Sequence, residues 1–574
     1  MTEMLLEQIT EINKTLEAIR YPGLTKDSGD IQPLAESIRK HYSALAFKET
    51  MSCLWISFIG GTGTGKSTLF NALLGMNLSA VGVERPKTCG PLAFEHADCR
   101  PPDRLPFPHL QWTVLSETGL ADLPLAGQEG HVQVVTHKRN HFTHLVLIDT
   151  PDLDSVEKSN RLITEDLILL SDIIVYVTSQ DKYADEIPAG YLADLSERER
   201  PILLILNKAD KRTDSDEVFR FHSQKGISLK KDRIWVIPFL EPADMEAIAG
   251  YRTFRHFRDF LLETDSHDGR KKLIRQSLLN LAGGLERESA RLWSLGAAED
   301  QAAKQWLKQL NELSNQVHSD FVEEQKERFI KGNKETLGRE IRRLFARYDL
   351  LAGPRKFVQG LILTPLKLLS LINKRSDQQE DFKRVRNKMD LAPVQEALTR
   401  LNHLVLDRLS PADDDSPLFQ AMHRPGLILN QEETASLIIE EERKLEEWLK
   451  QIFDDLSREI PAAKKWGIYS TSIVWGILIL AFETAVGGGF TVIDAAVDSA
   501  LAPLMTKGAV ELFAAREIRR IAGELSVRYR EALLSVLRLQ SRRYEECLGS
   551  VMFPDTARVE LEKIQDHLKI FKVR

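Results

Sequence analysis

Residues 54–75 read LWISFIGGTGTGKSTLFNALLG. An apolar run ends at Gly60, and a glycine-rich turn then leads through Gly61, Thr62, Gly63, Thr64 and Gly65 to Lys66, Ser67 and Thr68, where a helical pattern begins. This is G-x-x-x-x-G-K-[ST] in a strand–loop–helix setting. The glycines let successive backbone N–H groups curl around a phosphate, and the helix N-terminus adds its dipole. Lys66 brings an ammonium to the β- and γ-phosphates, and Ser67 offers its hydroxyl to Mg²⁺. The stretch predicts a nucleoside-phosphate cradle on an α/β sheet.

Working outward, short apolar runs recur at 53–59, 131–135, 144–149, 172–178, 201–206 and 233–237, with helical stretches at 66–75, 157–171 and 186–198 between them. Strand–helix alternation predicts a mostly parallel sheet flanked by helices. Two strand ends carry further chemistry. Asp149-Thr150-Pro151-Asp152 places a carboxylate where Mg²⁺ can be held directly or through water. Asn207-Lys208-Ala209-Asp210 is N-K-x-D. Its Asp210 can accept from N1–H and the exocyclic amine of guanine, which adenine lacks. Asn207 supports the loop, and the Lys208 stem lies along the ring. A buried carboxylate left unpaired by the wrong base discriminates strongly, so GTP and GDP are the expected ligands.

With these three motifs in order, residues 50–240 resemble the P-loop GTPases of the translation-factor-related class, in the Era-like and dynamin-like branches. The resemblance implies nucleotide contacts along Gly60, Gly61, Thr62, Gly63, Thr64, Gly65, Lys66, Ser67 and Thr68, with Asn207, Lys208 and Asp210 at the base. It implies a switch threonine closing on Mg²⁺, best matched by Thr88 in Arg85-Pro86-Lys87-Thr88. The implied metal set is then Ser67, Thr88 and Asp149. The implied catalytic set is Lys66, Thr88 and Thr62, Thr62 standing where dynamins use a polar loop residue.

The chain also departs from that pattern. Pro238-Phe239-Leu240 replaces the usual Ser-Ala after the last strand, so base contacts there stay unassigned. Asp152 replaces the DxxG glycine and, as an anion, is expected to point away from phosphate. Leu153 stands where small signalling GTPases carry a water-orienting glutamine, and Gly63 where potassium-dependent relatives carry asparagine. Slow intrinsic hydrolysis follows, completed by a second copy's G domain.

The whole chain has 574 residues, 43% of them hydrophobic and 28% charged, with a net charge of −7. These are globular values, and the lack of a basic surplus disfavours nucleic acid as a partner. Four cysteines, Cys53, Cys89, Cys99 and Cys547, are too few for a disulfide scaffold and point to a reducing compartment. Cys89, His96, Cys99, His131, His137, His141 and His144 match no zinc spacing. The acidic start, MTEMLLEQITEINKTLEAIR, is no signal peptide, so a cytoplasmic protein is expected.

Leu5, Ile9, Ile12, Leu16 and Ile19 form an apolar stripe on a helix over 1–20. After about residue 265 helical periodicity takes over, as at Ile438, Leu445, Leu449, Ile452 and Leu456, with a further long helix over 507–547. The expected domains are an N-terminal helical segment, 1–45, packing with the C-terminal bundle, a G domain, 46–265, and a helical stalk, 266–574. Two segments bear on membranes. Residues 350–376 hold five bases and no acid around a leucine-rich core, as an interfacial helix on anionic lipid requires. Within 466–505, residues 466–482 are uncharged and would rise about 25 Å as a helix, but Glu483, Asp494 and Asp498 would be costly in lipid. A buried hairpin, a reversible membrane-inserting tip and a transmembrane hairpin all remain open.

Dynamin-like proteins share this layout, which implies nucleotide-dependent G-domain homodimers or higher oligomers and a peripheral place on the inner membrane face. It also implies that residues 1–20 pack with C-terminal helices such as 507–547. Two alternatives stand beside it: an Era-type regulatory GTPase timing assembly of a complex or ribosome, and a nucleotide-binding scaffold with negligible turnover.

Overall fold

A computed structural model describes residues 3–81, 90–99, 110–116, 131–153, 158–181, 201–241, 244–332, 392–459 and 509–573, together with 105–107, 124–125, 127, 190, 192–193 and 195–196. Thr88 and the segments 350–376 and 466–505 lie outside the described residues.

The strands among the described residues are β1 (Leu54–Gly60), β2 (Leu92–His96), β3 (Gln111–Ser116), β4 (His131–His137), β5 (Leu145–Asp149), β6 (Ile173–Ser179), β7 (Ile202–Ala209) and β8 (Ile234–Pro238). They form one sheet in the order β3-β4-β2-β5-β1-β6-β7-β8, and only the β2–β5 pairing is antiparallel. Every residue of β1 is buried, as the unbroken apolar run requires of a strand covered on both faces. Its register pairs Phe58 with Asp149 on one side and Val175 on the other. The chain departs from β1 toward β2 and β5 on one side and toward β6, β7 and β8 on the other. This is the switch point at which open α/β sheets leave a crevice beyond the strand ends.

Two strands were not foreseen. β2 is only LAFEH and includes a glutamate and a histidine. β3, the outermost strand, exposes Val114. Short strands with mixed polarity lack the continuous apolar signal of β1.

Helix α1 (Glu3–Glu17) and α2 (Ile31–Lys48) precede the sheet. α3 (Lys66–Leu74) follows the glycine loop, and α4 (Lys158–Leu170) precedes β6. α5 (Ser215–Gln224) precedes β8, with α6 (Met245–Gly250) and α7 (Arg252–Thr264) after it. One face of the sheet packs Ile56, Phe58, Leu147 and Val175 against Leu69 and Phe70 of α3 and Phe254 and Phe257 of α7. The other packs Ile59, Ile174, Tyr176 and Leu204 with Ile168 of α4 and Val218 of α5.

The other described elements are the helices α8 (His267–Gly332), α9 (Ala392–Leu409), α10 (Pro417–Met422), α11 (Gln431–Glu459), α12 (Ala509–Gly549) and α13 (Asp555–Val573). The chain divides into two compact units. The first holds residues 1–19, 29–297 and 553–574, and the second 20–28 and 298–552. In the first, Ile12, Leu16 and Ile19 of the N-terminal stripe are buried, and α1 lies against α2 and α13. In the second, Trp306, Leu310 and Phe321 of α8 join Leu401 and Val405 of α9, Ile438 and Leu445 of α11 and Ile521, Leu525 and Leu537 of α12 in one core. Two polar groups that enter this core are matched: Tyr544 donates to Asn402 at 2.9 Å and the Trp306 indole to the Leu409 carbonyl at 2.8 Å. Buried Glu299 accepts the backbone N–H groups of Gly23, Leu24 and Thr25 at 2.8–3.0 Å, fixing the 20–28 segment within this unit.

Among the described residues no helix is long and apolar enough to cross a membrane. Cys53 and Cys99 are joined in a disulfide with Cα atoms 5.9 Å apart, which corrects the expectation that the cysteines are reduced. They lie far apart in sequence, and the β1–β5–β2 pairings bring them together.

Candidate functional site

The glycine loop sits at the end of β1 and is shaped by sterics. A Cβ on Gly60 would meet the Val177 carbonyl at 2.2 Å. Gly63 and Gly65 take φ of +77° and +88°, a region that costs ordinary L-residues about 1–2 kcal/mol. Thr64 closes the turn by donating its hydroxyl to the Gly61 carbonyl at 2.9 Å. α3 then opens at Lys66, so Lys66, Ser67 and Thr68 occupy its first turn, the part of a helix whose N–H groups have no intrahelical acceptor. Thr62 is half-buried on the loop.

The second motif is joined to this loop. Asn207 Nδ2 donates to the Thr64 carbonyl at 2.9 Å, and Lys208 Nζ to the Gly63 carbonyl at 2.8 Å. Lys208 takes φ +53°, which turns its side chain back over the loop within the register shift between Leu206 and Ala209. Asp210 follows at the exposed rim, with Oδ1 accepting the Arg212 amide at 3.3 Å. At the place of the Ser-Ala motif, the Phe239 amide donates to the Ala209 carbonyl at 3.0 Å, and the phenyl ring is half exposed.

The carboxylates are the third part. Asp149, wholly buried at the end of β5, accepts Lys66 Nζ on Oδ1 at 3.2 Å and the Ser79 hydroxyl on Oδ2 at 2.7 Å. Asp152 also faces Lys66, its Oδ1 lying 3.6 Å from Nζ. This corrects the expectation that Asp152 points away from the phosphate site. The loop is pinned from both sides: the Thr150 hydroxyl and amide donate to the Phe58 carbonyl at 2.9 and 3.2 Å, and the Leu153 amide to Gly60 at 3.1 Å. Burial works against the Lys66 ammonium, but Asp149 and Asp152 outweigh it and hold its pKa above the ordinary lysine value.

Sequence reasoning missed Ser79 and the residue that positions it. Asn71 of α3 accepts the amides of Leu78 and Ser79 at 3.1 and 2.8 Å and donates to the Ser79 carbonyl at 2.8 Å. Its only sequence signal is an asparagine on the apolar side of a helix. Of the expected site residues, the structure brings together 60–68, Asp149, Asn207 and Lys208, with Asp210 at the rim. Thr88 falls outside the described residues.

Residues 55–208 match the family model described as 50S ribosome-binding GTPase. The chain therefore carries a P-loop GTPase domain. It is also 26% identical over 224 residues to an uncharacterized protein from the xynA 3′ region of Caldicellulosiruptor sp. strain Rt8B.4; the match covers 36% of this chain and 53% of that one, so the chain spans about half the length of that relative. Two solved structures, described as an oligomerised bacterial dynamin pair providing a mechanism for the long-range sensing and tethering of membranes, are similar over 99% of this chain and 98% and 99% of theirs. Their identities are 13% and 14% and their TM-scores 0.38 and 0.37.

Proposed function

We propose that this chain, from its P-loop GTPase domain outward, is a dynamin-like GTPase that binds GTP and GDP, hydrolyses GTP slowly, and couples nucleotide state to movement of its helical unit. The observation that carries the reading is the joining of two motifs: Asn207 and Lys208 of the base-reading tetrapeptide are bonded to Thr64 and Gly63 of the phosphate loop. A base gripped by Asp210 and phosphates seated on the amides of 61–66 then belong to one ligand.

In this reading the loop amides orient the diphosphate, and Lys66 neutralises charge on the transferred phosphoryl group. The hydroxyl of Ser67 and the carboxylate of Asp149 are hard oxygen donors suited to Mg²⁺, and Thr88 would complete the set. When bound, the ion would neutralise charge between the β- and γ-phosphates. Leu153 is buried where a polar residue would orient water, so turnover depends on groups brought by a second copy's G domain. The stalk's membrane role rests on the compositions of 350–376 and 466–505.

Calorimetry on the full chain tests the core of this. GTP and GDP should bind at micromolar level with ATP excluded. Lys66→Ala should abolish binding, and Asp210→Asn should erase the preference for guanine. A preference for ATP would overturn it. Turnover per molecule should rise with protein concentration, and co-sedimentation with anionic vesicles should depend on the nucleotide. Co-sedimentation with ribosomes in its place would favour the regulatory reading that the matched family's description suggests.

A further inference from the structure

The Lys66 ammonium, almost wholly buried, faces two carboxylates: Asp149 at 3.2 Å and Asp152 at 3.6 Å. The two are not equivalent. Asp149 lies on a strand, fully enclosed, and its second oxygen is held by Ser79. Asp152 is on a loop, with its side chain 28% exposed, and it meets Lys66 through its charge and a side-chain hydrogen bond. Its backbone cannot drift far, because Thr150 and Leu153 on either side are bonded to Phe58 and Gly60 of β1.

We propose that Asp152 is an internal anion that competes with the terminal phosphate of a triphosphate for Lys66, and so sets the preference of the site between GDP and GTP. The inference rests on the guanine-nucleotide reading above. The diphosphate portion is served by many amides of the glycine loop, an array that Asp152 does not enter. Lys66 reaches both the β- and the γ-phosphate, but the γ-phosphate has fewer loop amides to share and depends more on Lys66 and the metal, and here it must either displace the Asp152 carboxylate or lie against it. Like charges within about 4 Å in a partly enclosed site repel strongly, and the partial exposure of Asp152 reduces the effect to roughly tenfold in affinity. Movement of Asp152 off Lys66 would accompany triphosphate binding and its return would accompany phosphate release. The position that is an uncharged glycine in the motif therefore acts here as a charge switch on the same loop.

The test compares wild type, Asp152→Asn and Asp152→Gly as full-length chains, by calorimetry with GDP and with a non-hydrolysable GTP analogue at fixed Mg²⁺ and salt. GDP affinity should stay within about threefold in both variants, which also reports that they are folded. The analogue should tighten by roughly tenfold, and the gain should shrink as salt rises. GDP binding retained with an unchanged or weaker grip on the analogue would overturn the proposal and make Asp152 a ligand or a structural residue. Wild type that binds no guanine nucleotide would sink the underlying reading as well, and that result is distinguishable because it appears without any substitution.

Discussion

The Lys48 ammonium, on the last residue of α2, lies 2.5 Å from the Asp172 carboxylate at the entrance to β6, and both side chains are wholly withdrawn from solvent. The same Asp172 oxygen accepts the Trp55 amide at 2.8 Å, so one carboxylate ties α2 to the start of β1 and the turn before β6. Removing one partner of a buried pair leaves a charge in a low-dielectric interior. Asp172→Asn should destabilise the first unit by about 3–5 kcal/mol. The double variant Lys48→Met/Asp172→Asn should recover much of that loss, because no charge is then stranded. Denaturant unfolding of wild type and the two variants checks this, and equal losses in the single and the double would rule it out.

Glu95 on β2 gives a pH dependence of opposite sign from ordinary carboxylates. It is 3% exposed with Oε2 unpartnered among the described residues, and burial pushes its pKa up to about 8. Between about 4.5 and 8 the folded chain holds a proton that the unfolded chain has lost. Stability on this group's account is therefore greatest at low pH and falls as pH rises through that window. Glu95→Gln should remove the slope and stabilise the protein at pH 8 by up to a few kcal/mol, while changing little at pH 5. Thermal unfolding at the two pH values measures it.

His222 near the end of α5 works at the acid side. Its ring is buried with neither nitrogen partnered among the described residues, and burial, reinforced by Lys225, lowers its pKa to about 4. The unfolded chain takes up its proton first, so the contribution is intact above about 6.5 and is lost as pH falls toward 4. His222→Leu should flatten the acid limb of the stability curve by about 1–3 kcal/mol at pH 4.5. An unchanged acid limb would mean that His137, also pushed down to about 4, first by burial and then by His96 and its neighbours, dominates there.

What could be read ahead of the structure divides along a physical line. The glycine loop and the strand bearing Asn207 and Lys208 were legible because each is a local pattern whose conformation is set by adjacent residues: glycines at positive φ, then a helix start. The N-terminal stripe was legible for the same reason, and Ile12 and Leu16 are buried. The direction of Asp152 was not. It is decided by carbonyls of Phe58 and Gly60 nearly a hundred residues earlier, and a charge argument about phosphate missed the fact that Lys66 itself is the nearer attraction. Ser79 was invisible because its role is made by Asn71 and Asp149 together. β2 and β3 escaped because a short strand takes its stability from neighbours as much as from its own periodicity.

Two glycines at the ends of α3 separate backbone strain from site geometry. Gly65 precedes the helix at φ +88°, and a Cβ there would stand 2.3 Å from Asn207 Nδ2. Gly75 follows the helix at φ +66°, with nothing within 4 Å of its would-be Cβ. Alanine at either position carries the left-handed cost of about 1–2 kcal/mol. Only at Gly65 must it also push away the amide that bonds the Thr64 carbonyl. Gly75→Ala should therefore lose about 1 kcal/mol with GDP affinity unchanged. Gly65→Ala should lose more and should also weaken GDP at least tenfold, a step of about 1.4 kcal/mol. Paired thermal melts and calorimetric titrations resolve the two terms. If Gly65→Ala bound GDP as wild type does, the Asn207–Thr64 bond would have no part in holding the loop for its ligand.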